Sequence, residues 1–207
     1  MHPVRRKTTL SAEFGHLPAK GNVPVLLTKG PDSNHTVKIA VFSDTHLHDL
    51  SSGLPYLRAI MARYAADASM VLHAGDVGDP DLLLAFDGYP LHRVLGNTDA
   101  PCSGVGVQKL LTVAASRIGL MHGWGGRHEI ERKAREAFSD SRPDVIVYGH
   151  THWPVCHHYA GQLMFNPGSC VERRMAPHYT FGILELGDIL TGHIVNVDTL
   201  AAQFLRG

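Results

Sequence analysis

The chain has 207 residues (22.6 kDa), 44% hydrophobic and 18% charged, which excludes disorder as its main state and provides a core that needs no disulfides. Its 19 Lys and Arg offset 19 Asp and Glu, so no basic excess marks a nucleic-acid partner. No apolar run approaches the roughly 20 residues that span a bilayer, so no membrane partner is expected. Against that flat balance stand 15 histidines. Cys102, Cys156 and Cys170 form no CxxC pair and read as free thiols. Arg5, Arg6 and Lys7 are followed by no apolar signal core, so a cytoplasmic location is expected.

Residues 1–36, rich in Pro, Gly, Lys and Thr, read as an N-terminal arm, and residues 37–207 as one domain. The domain opens with Val37-Lys38-Ile39-Ala40-Val41-Phe42, a β-branched apolar run typical of a buried strand. Leu54, Leu57, Ile60, Met61 and Tyr64 then recur at helical spacing. A strand is expected over 70–74, and Asp79-Pro80 should cap a short helix that runs to Phe86. Strands follow over 91–95 and 118–121. Next come a helix carrying Ile130, Ala134, Ala137 and Phe138 on one face, and a strand over 145–148. Closely spaced strands over 155–159, 162–166, 178–186 and 189–196 complete the chain as a β meander. Strand–helix alternation followed by strands alone predicts an α/β fold, a two-sheet β-sandwich flanked by helices.

The apolar runs share an ending. Ser43-Asp44-Thr45-His46 follows the first strand, His73-Ala74-Gly75-Asp76 the second and Gly96-Asn97-Thr98-Asp99 the third. His122-Gly123 and Gly149-His150-Thr151-His152 follow two later ones. Turn chemistry accounts for Gly, Asp and Asn, but gives no reason for His46, His122, His150 and His152. Parallel strands release their loops at one sheet edge, so these side chains should converge. Carboxylate, imidazole and amide oxygen without thiolate suit two hard-to-borderline cations such as Mn²⁺, Fe or Zn²⁺.

The ordered set D-x-H, G-D, G-N-x-D, H-G, G-H-T-H resembles the calcineurin-like metallophosphoesterases. The short chain, and Asn166-Pro167-Gly168-Ser169 after the last motif, look like the small YfcE-type phosphodiesterase branch of that superfamily. The resemblance covers about residues 37–196. It implies the four-layer α/β/β/α form of the sandwich. It also implies two divalent ions, Mn²⁺ foremost, with Fe, Zn²⁺, Ni²⁺ and Mg²⁺ as alternatives. Asp44, His46 and His152 would hold the first ion, and Asn97, His122 and His150 the second, with Asp76 bridging. In-line attack by a metal-bridging hydroxide would then hydrolyse a small phosphate ester. Asp76, Asn97, His122 and Asp99 make up the implied catalytic set, and Asp99 is expected to orient a ligand histidine. Asn97 and Arg174 are the implied substrate contacts.

The sequence departs from the family at Thr98, where the wider superfamily carries His and the small branch Cys. A hydroxyl is a poor acid near neutrality, so esters with good leaving groups should react best. His48 and His128 are the acids available in its place. His73 reads either as a ligand's partner or as a satisfied core histidine. Asn166-Pro167-Gly168-Ser169 reads either as part of the site or as a tight turn, and Trp124 and Trp153 as pocket mouth or core. Phosphomonoesterase or protein phosphatase is the alternative activity. A protein-interaction scaffold like the retromer subunit is the alternative class, and the oligomeric state is left open.

Overall fold

A computed structural model of the protein describes residues 36–205. Apart from Thr36, the expected N-terminal arm lies outside the described residues. In chain order the elements are β1 (Val37–Phe42), α1 (Leu50–Tyr64), β2 (Met70–His73), a 3₁₀ helix (Pro80–Phe86) and β3 (Leu91–Arg93). There follow β4 (Gln108–Val113), β5 (Ser116–Met121), α2 (Ile130–Ala137), β6 (Val145–Val147), β7 (Val155–Tyr159) and β8 (Gln162–Asn166). The last three are β9 (Thr180–Leu186), β10 (Leu190–Asn196) and α3 (Asp198–Phe204).

Two mixed five-stranded sheets result, ordered β10-β9-β1-β2-β3 and β4-β5-β6-β8-β7. The alternation within each strand shows why they stack. In β1, Ile39 and Val41 face the second sheet, where they meet Ile118, Leu120, Val145 and Phe165. Ala40 and Phe42 face the other way, under Tyr56, Leu57 and Ile60 of α1 and Leu200 and Ala201 of α3. Strands buried on both faces must be apolar throughout, which explains the uninterrupted runs. On the far side, α2 covers Met121, Ile146, Tyr148 and Met164 with Ile130 and Ala134. The layers are therefore helix, sheet, sheet, helix, as expected. Full burial of one such aliphatic or aromatic side chain contributes roughly 1.5–3 kcal/mol.

One expectation needed correction and two elements were missed. The late strands are not one meander: β7 and β8 pair in the second sheet, and β9 and β10 in the first. Strand β4, an antiparallel partner of β5, and helix α3 were not foreseen. The short helix expected after Asp79 is present over Pro80–Phe86 as a 3₁₀ helix, with the Asp79 side chain accepting from the Asp81 N–H at 2.9 Å. The three cysteines are unpaired, as expected, with Cys170 buried. Among the described residues no helix is long and apolar enough to cross a membrane.

Candidate metal centre

Strands β1, β2 and β3 run parallel, as do β5 and β6, so their C-terminal ends deliver the motif loops to one edge of the sandwich. Five residues of these loops, Asp44, His46, Asp76, His150 and His152, sit at φ between +43° and +68°. Left-handed backbone is costly for residues with a Cβ and persists where its surroundings over-determine it. Here backbone bonds do so: Asp44 N–H donates to Gly75 O at 3.0 Å and His46 N–H to Asp76 O at 3.1 Å. The loops also pack without space for another atom. A Cβ on Gly96 would overlap Asp76 Oδ1, and one on Gly149 would overlap Ser43 Oγ.

The side chains converge as the sequence indicated. Two groups, Asp44–His46–His152 and Asp44–Asp76–His122, each offer ligand atoms within 4.8 Å of one another. Asp44 belongs to both. Asp76 Oδ2 lies 3.4 Å from His46 Nε2 and 3.3 Å from His122 Nε2, so it also faces both groups. Asn97 Oδ1 completes the cluster, 3.1 Å from His122 Nε2 and 2.9 Å from His150 Nδ1.

The proton positions show what the cluster lacks. His152 Nδ1 is bonded to the Glu172 carbonyl, an acceptor only, so in the neutral ring Nδ1 carries the proton. Its Nε2 then presents a bare lone pair, 3.4 Å from Asp44 Oδ1. His122 differs: Nδ1 likewise donates to Ala74 O at 2.8 Å, but Nε2 faces the acceptor oxygens of Asn97 and Asp76, so without an ion a proton on Nε2 makes those bonds. The Nε2 atoms of His46 and His152 are buried with no hydrogen-bond partner. Buried acceptors facing acceptors cost free energy unless a cation lies between them. Imidazoles oriented through Nδ1 by backbone carbonyls, with carboxylates opposite, are a metal-ligand arrangement. These residues fit a metal ion on that chemistry.

The titrations follow from the same geometry. Burial, with the Asp76 charge adding to it, pushes the Asp44 carboxyl up to about 7, against the bonds it accepts from Ser43 and His150. Burial also raises the Asp76 carboxyl, but the His122 hydrogen bond and the Thr98 N–H prevail and hold it far below the usual range. Burial works to lower His122, yet Asp76 and Asp44 hold it above the ordinary imidazole value. Burial lowers His46 and His150, and takes His152 down to about 4.

The surrounding residues divide differently from expectation. Asp99 bonds to no histidine among the described residues: its carboxylate accepts from the N–H groups of Asp76, Val77 and Gly96 at 2.8–2.9 Å, tying two ligand loops together. Thr98 contributes its backbone N–H, donated to Asp76 Oδ1 at 2.8 Å. His73 is fully buried outside the ligand set, with both ring nitrogens partnered, and is lowered by burial to about 4. His48 and His128 are exposed, and neither bonds to a ligand side chain among the described residues. Arg174 Nη1 donates to His150 O at 3.4 Å, placing its half-exposed guanidinium beside the cluster, whereas Arg173 turns away to Ala176 O. Trp153 is half-buried under the Arg127 guanidinium at 3.6 Å, and Trp124 is exposed.

Sequence reasoning missed the braces. Ser43 donates to Asp44 Oδ2 at 2.6 Å. Asn166 donates to Gly149 O at 2.9 Å, and Ser169 to Asp44 O at 2.6 Å, so the Asn-Pro-Gly-Ser turn is both a turn and a clamp on two ligand loops. Ser169 Oγ also accepts from the N–H groups of Val171 and Glu172. The only signal was a turn sequence just downstream of two ligands. Ser169→Ala is expected to lower unfolding free energy by about 1–3 kcal/mol in urea titration, since the buried Asp44 carbonyl loses its donor and two part-buried N–H groups lose their acceptor.

A sheet edge carrying two carboxylates, four imidazoles and an amide oxygen defines a candidate metal centre. Residues 37–188 match the calcineurin-like phosphoesterase superfamily domain, and the chain belongs to that superfamily of metal-dependent phosphoester hydrolases. A probable metallophosphoesterase from Methanothermobacter thermautotrophicus is 32% identical, over 81% of this chain and 97% of its own length. A solved structure described as a novel archaeal phosphodiesterase superposes with a TM-score of 0.62 at 20% identity, covering 78% of this chain and 100% of that one. Vps29 from Entamoeba histolytica, complexed with Zn²⁺, gives 0.57 at 22% identity, covering 77% and 99%. At such identities the two structures show a shared fold alone.

Proposed function

We propose that the chain is a phosphodiesterase working with two divalent ions, Mn²⁺ foremost. The observation that carries this is the pair of ligand groups sharing Asp44, with the unpartnered, buried Nε2 atoms of His46 and His152 turned into the first and His122 Nε2 into the second. Asp44, His46 and His152 would hold one ion, Asn97, His122 and His150 the other, and Asp76 would bridge them. Ions bound there supply charge neutralisation at phosphorus and a water activated for in-line attack near neutral pH.

The chain's own residues do the rest. Arg174 extends a fork of donors from beside His150, suited to the non-bridging oxygens of a phosphoryl group. The Asn97 amide turns its oxygen toward the two histidines, which leaves its NH₂ for the substrate. Asp99 and Ser169 fix the loops that carry Asp76 and Asp44. With no acid at Thr98, a diester whose leaving group departs without protonation is the best substrate.

The test compares p-nitrophenyl mono- and diesters over Mn²⁺, Fe²⁺, Zn²⁺, Ni²⁺ and Mg²⁺, with Asp76→Asn as control. Faster diester turnover with Mn²⁺, lost in the variant, is expected. A preference for the monoester would replace the reading with a phosphomonoesterase. The Vps29 likeness favours a second reading, a scaffold for protein contacts. Metal content does not separate the two, because that Vps29 is itself complexed with Zn²⁺; a metal-loaded protein without turnover of either ester would favour the scaffold.

Metal affinity should fall as pH drops below about 7, and the cause is not the histidines generally. Burial lowers His46, His150 and His152, so protons compete less with an ion there, whereas Asp44 is raised to about 7 and His122 is held above its ordinary value by Asp76 and Asp44, so an ion must displace protons chiefly from these two. The metal-free form therefore binds more protons than the loaded form in this range, so acid favours release. Titration calorimetry at pH 6 in buffers of different ionisation enthalpy should show proton release on Mn²⁺ binding; none would contradict it.

A further inference from the structure

His73 lies outside the ligand set, yet a directed chain of hydrogen bonds runs through it. The Gly75 N–H donates to His73 Nδ1 at 3.2 Å. Thr45 has one hydroxyl proton and gives it to Val77 O at 2.8 Å. The contact between Thr45 Oγ1 and His73 Nε2, at 3.1 Å, can then be filled only by a proton on Nε2. One tautomer satisfies all three bonds: Nδ1 accepting, Nε2–H donating. The chain begins and ends in the loop that carries Asp76, and Thr45, from the neighbouring loop, is held in its middle.

Thr45 stands between Asp44 and His46, at φ of +53° and +43°. Both ligands therefore hang on strained backbone whose central residue is fixed by its hydroxyl. Thr45 and His73 are buried to within 1% of complete, so water cannot replace a lost partner. Backbone bonds register the two loops side by side; the Thr45–His73 chain fixes how the Asp44-Thr45-His46 turn is rotated on that register.

We infer that His73, as the neutral Nε2–H tautomer, is a positioning residue that sets the metal-binding geometry of Asp44 and His46 through Thr45. This rests on the reading of the cluster as a metal centre. The two halves of the imidazole can be separated by substitution. In His73→Gln the amide NH₂ takes the place of Nε2–H and keeps the bond to Thr45. In His73→Asn the side-chain oxygen takes the place of Nδ1 and keeps only the bond from Gly75.

The experiment measures Mn²⁺ affinity of the metal-stripped full chain by titration calorimetry, with folding followed by circular dichroism. Thr45→Val and His73→Asn should bind at least about tenfold more weakly. Thr45→Ser and His73→Gln should stay within about threefold of wild type. Equal affinity in His73→Asn and His73→Gln, or wild-type affinity in Thr45→Val, would overturn the assignment. Long-range ¹⁵N–¹H correlation on the wild-type protein reads the tautomer without any variant, and an Nδ1–H signal for His73 would also overturn it. A wild-type chain that binds no Mn²⁺ but shows Nε2–H would instead overturn the metal reading and leave the hydrogen-bond chain standing.

Discussion

Asp44→Asn should abolish phosphoesterase activity and, in chelator at pH 8, make the protein more stable. The first effect follows from losing a charged ligand common to both groups; several kcal/mol of charge stabilisation corresponds to about three powers of ten in rate. The second follows from the sign of its titration. The folded carboxyl is raised from 3.8 to about 7, so its stabilising contribution is complete below pH 3.8 and is lost as pH rises to about 7. At pH 8 without metal, the buried charge works against folding. An asparagine oxygen at the Oδ2 position would still accept from Ser43 and the His150 N–H. Its NH₂, at Oδ1, would face the unpartnered Nε2 of His152, 3.4 Å away. A gain of one to a few kcal/mol is expected, a rise in Tm of several degrees for a domain of this size. Thermal unfolding in chelator checks it, and an Asp44→Asn protein that melts below wild type would contradict it. Asp76→Asn is expected to do the opposite to stability, because the Asp76 charge is held in place by His122 and the Thr98 N–H.

That contrast between two aspartates could not be seen in the sequence, where Asp44 and Asp76 occupy equivalent places. What was legible was position. A strand apolar on both faces announces itself as an unbroken run, and its end falls at the sheet edge by necessity, so Asp44, Asp76, Asn97, His122, His150 and His152 could be placed before any coordinates. Strand β4 was passed over because it is an edge strand, exposed or half-exposed along Gln108, Lys109 and Leu110, which leaves only Leu111 and Val113 buried and a short Leu110–Val113 stretch to mark it. Helix α3 has seven residues and no side-chain N-cap, so neither periodicity nor capping signals it. The partition of the late hairpins between two sheets depends on the path of the 167–179 segment, which local turn signals do not encode. Proton positions were the least legible of all. Whether a histidine offers Nε2 or Nδ1 is decided by a carbonyl from another part of the chain, Glu172 for His152 and Ala74 for His122.

The braces and the ligands form one system, in which the strained backbone of the ligand loops is held by partners distant in sequence. Ser169 reaches Asp44 across 125 residues, and Asp99 reaches Asp76 across 23. A site held this way is rigid before any ion arrives, which lowers the reorganisation needed on binding. It also leaves little tolerance for added volume.

Gly149→Ala tests that tolerance, and its effect should rival the loss of a ligand. The glycine precedes His150 and lies against the Asp44 loop; a Cβ would overlap Ser43 Oγ and come to 2.7 Å from Asp44 Oδ2. Neither neighbour can yield cheaply. Ser43 is engaged with Asp44, which in turn accepts from the His150 N–H, and all lie in the buried seam between β1 and the loop after β6. Relief must come from moving one ligand loop away from the other. Overpacking of this kind costs about 1–3 kcal/mol, and the displacement falls directly on His150, His152 and Asp44. A loss of at least about a hundredfold in kcat/KM is expected, because misplacement of about 1 Å at reacting groups is worth that much. Gly126→Ala is the control: nothing lies within 4 Å of a Cβ there, and activity and stability should stay near wild type. If Gly149→Ala kept full activity and Mn²⁺ affinity, close packing of the two loops would not be what holds the ligands in place.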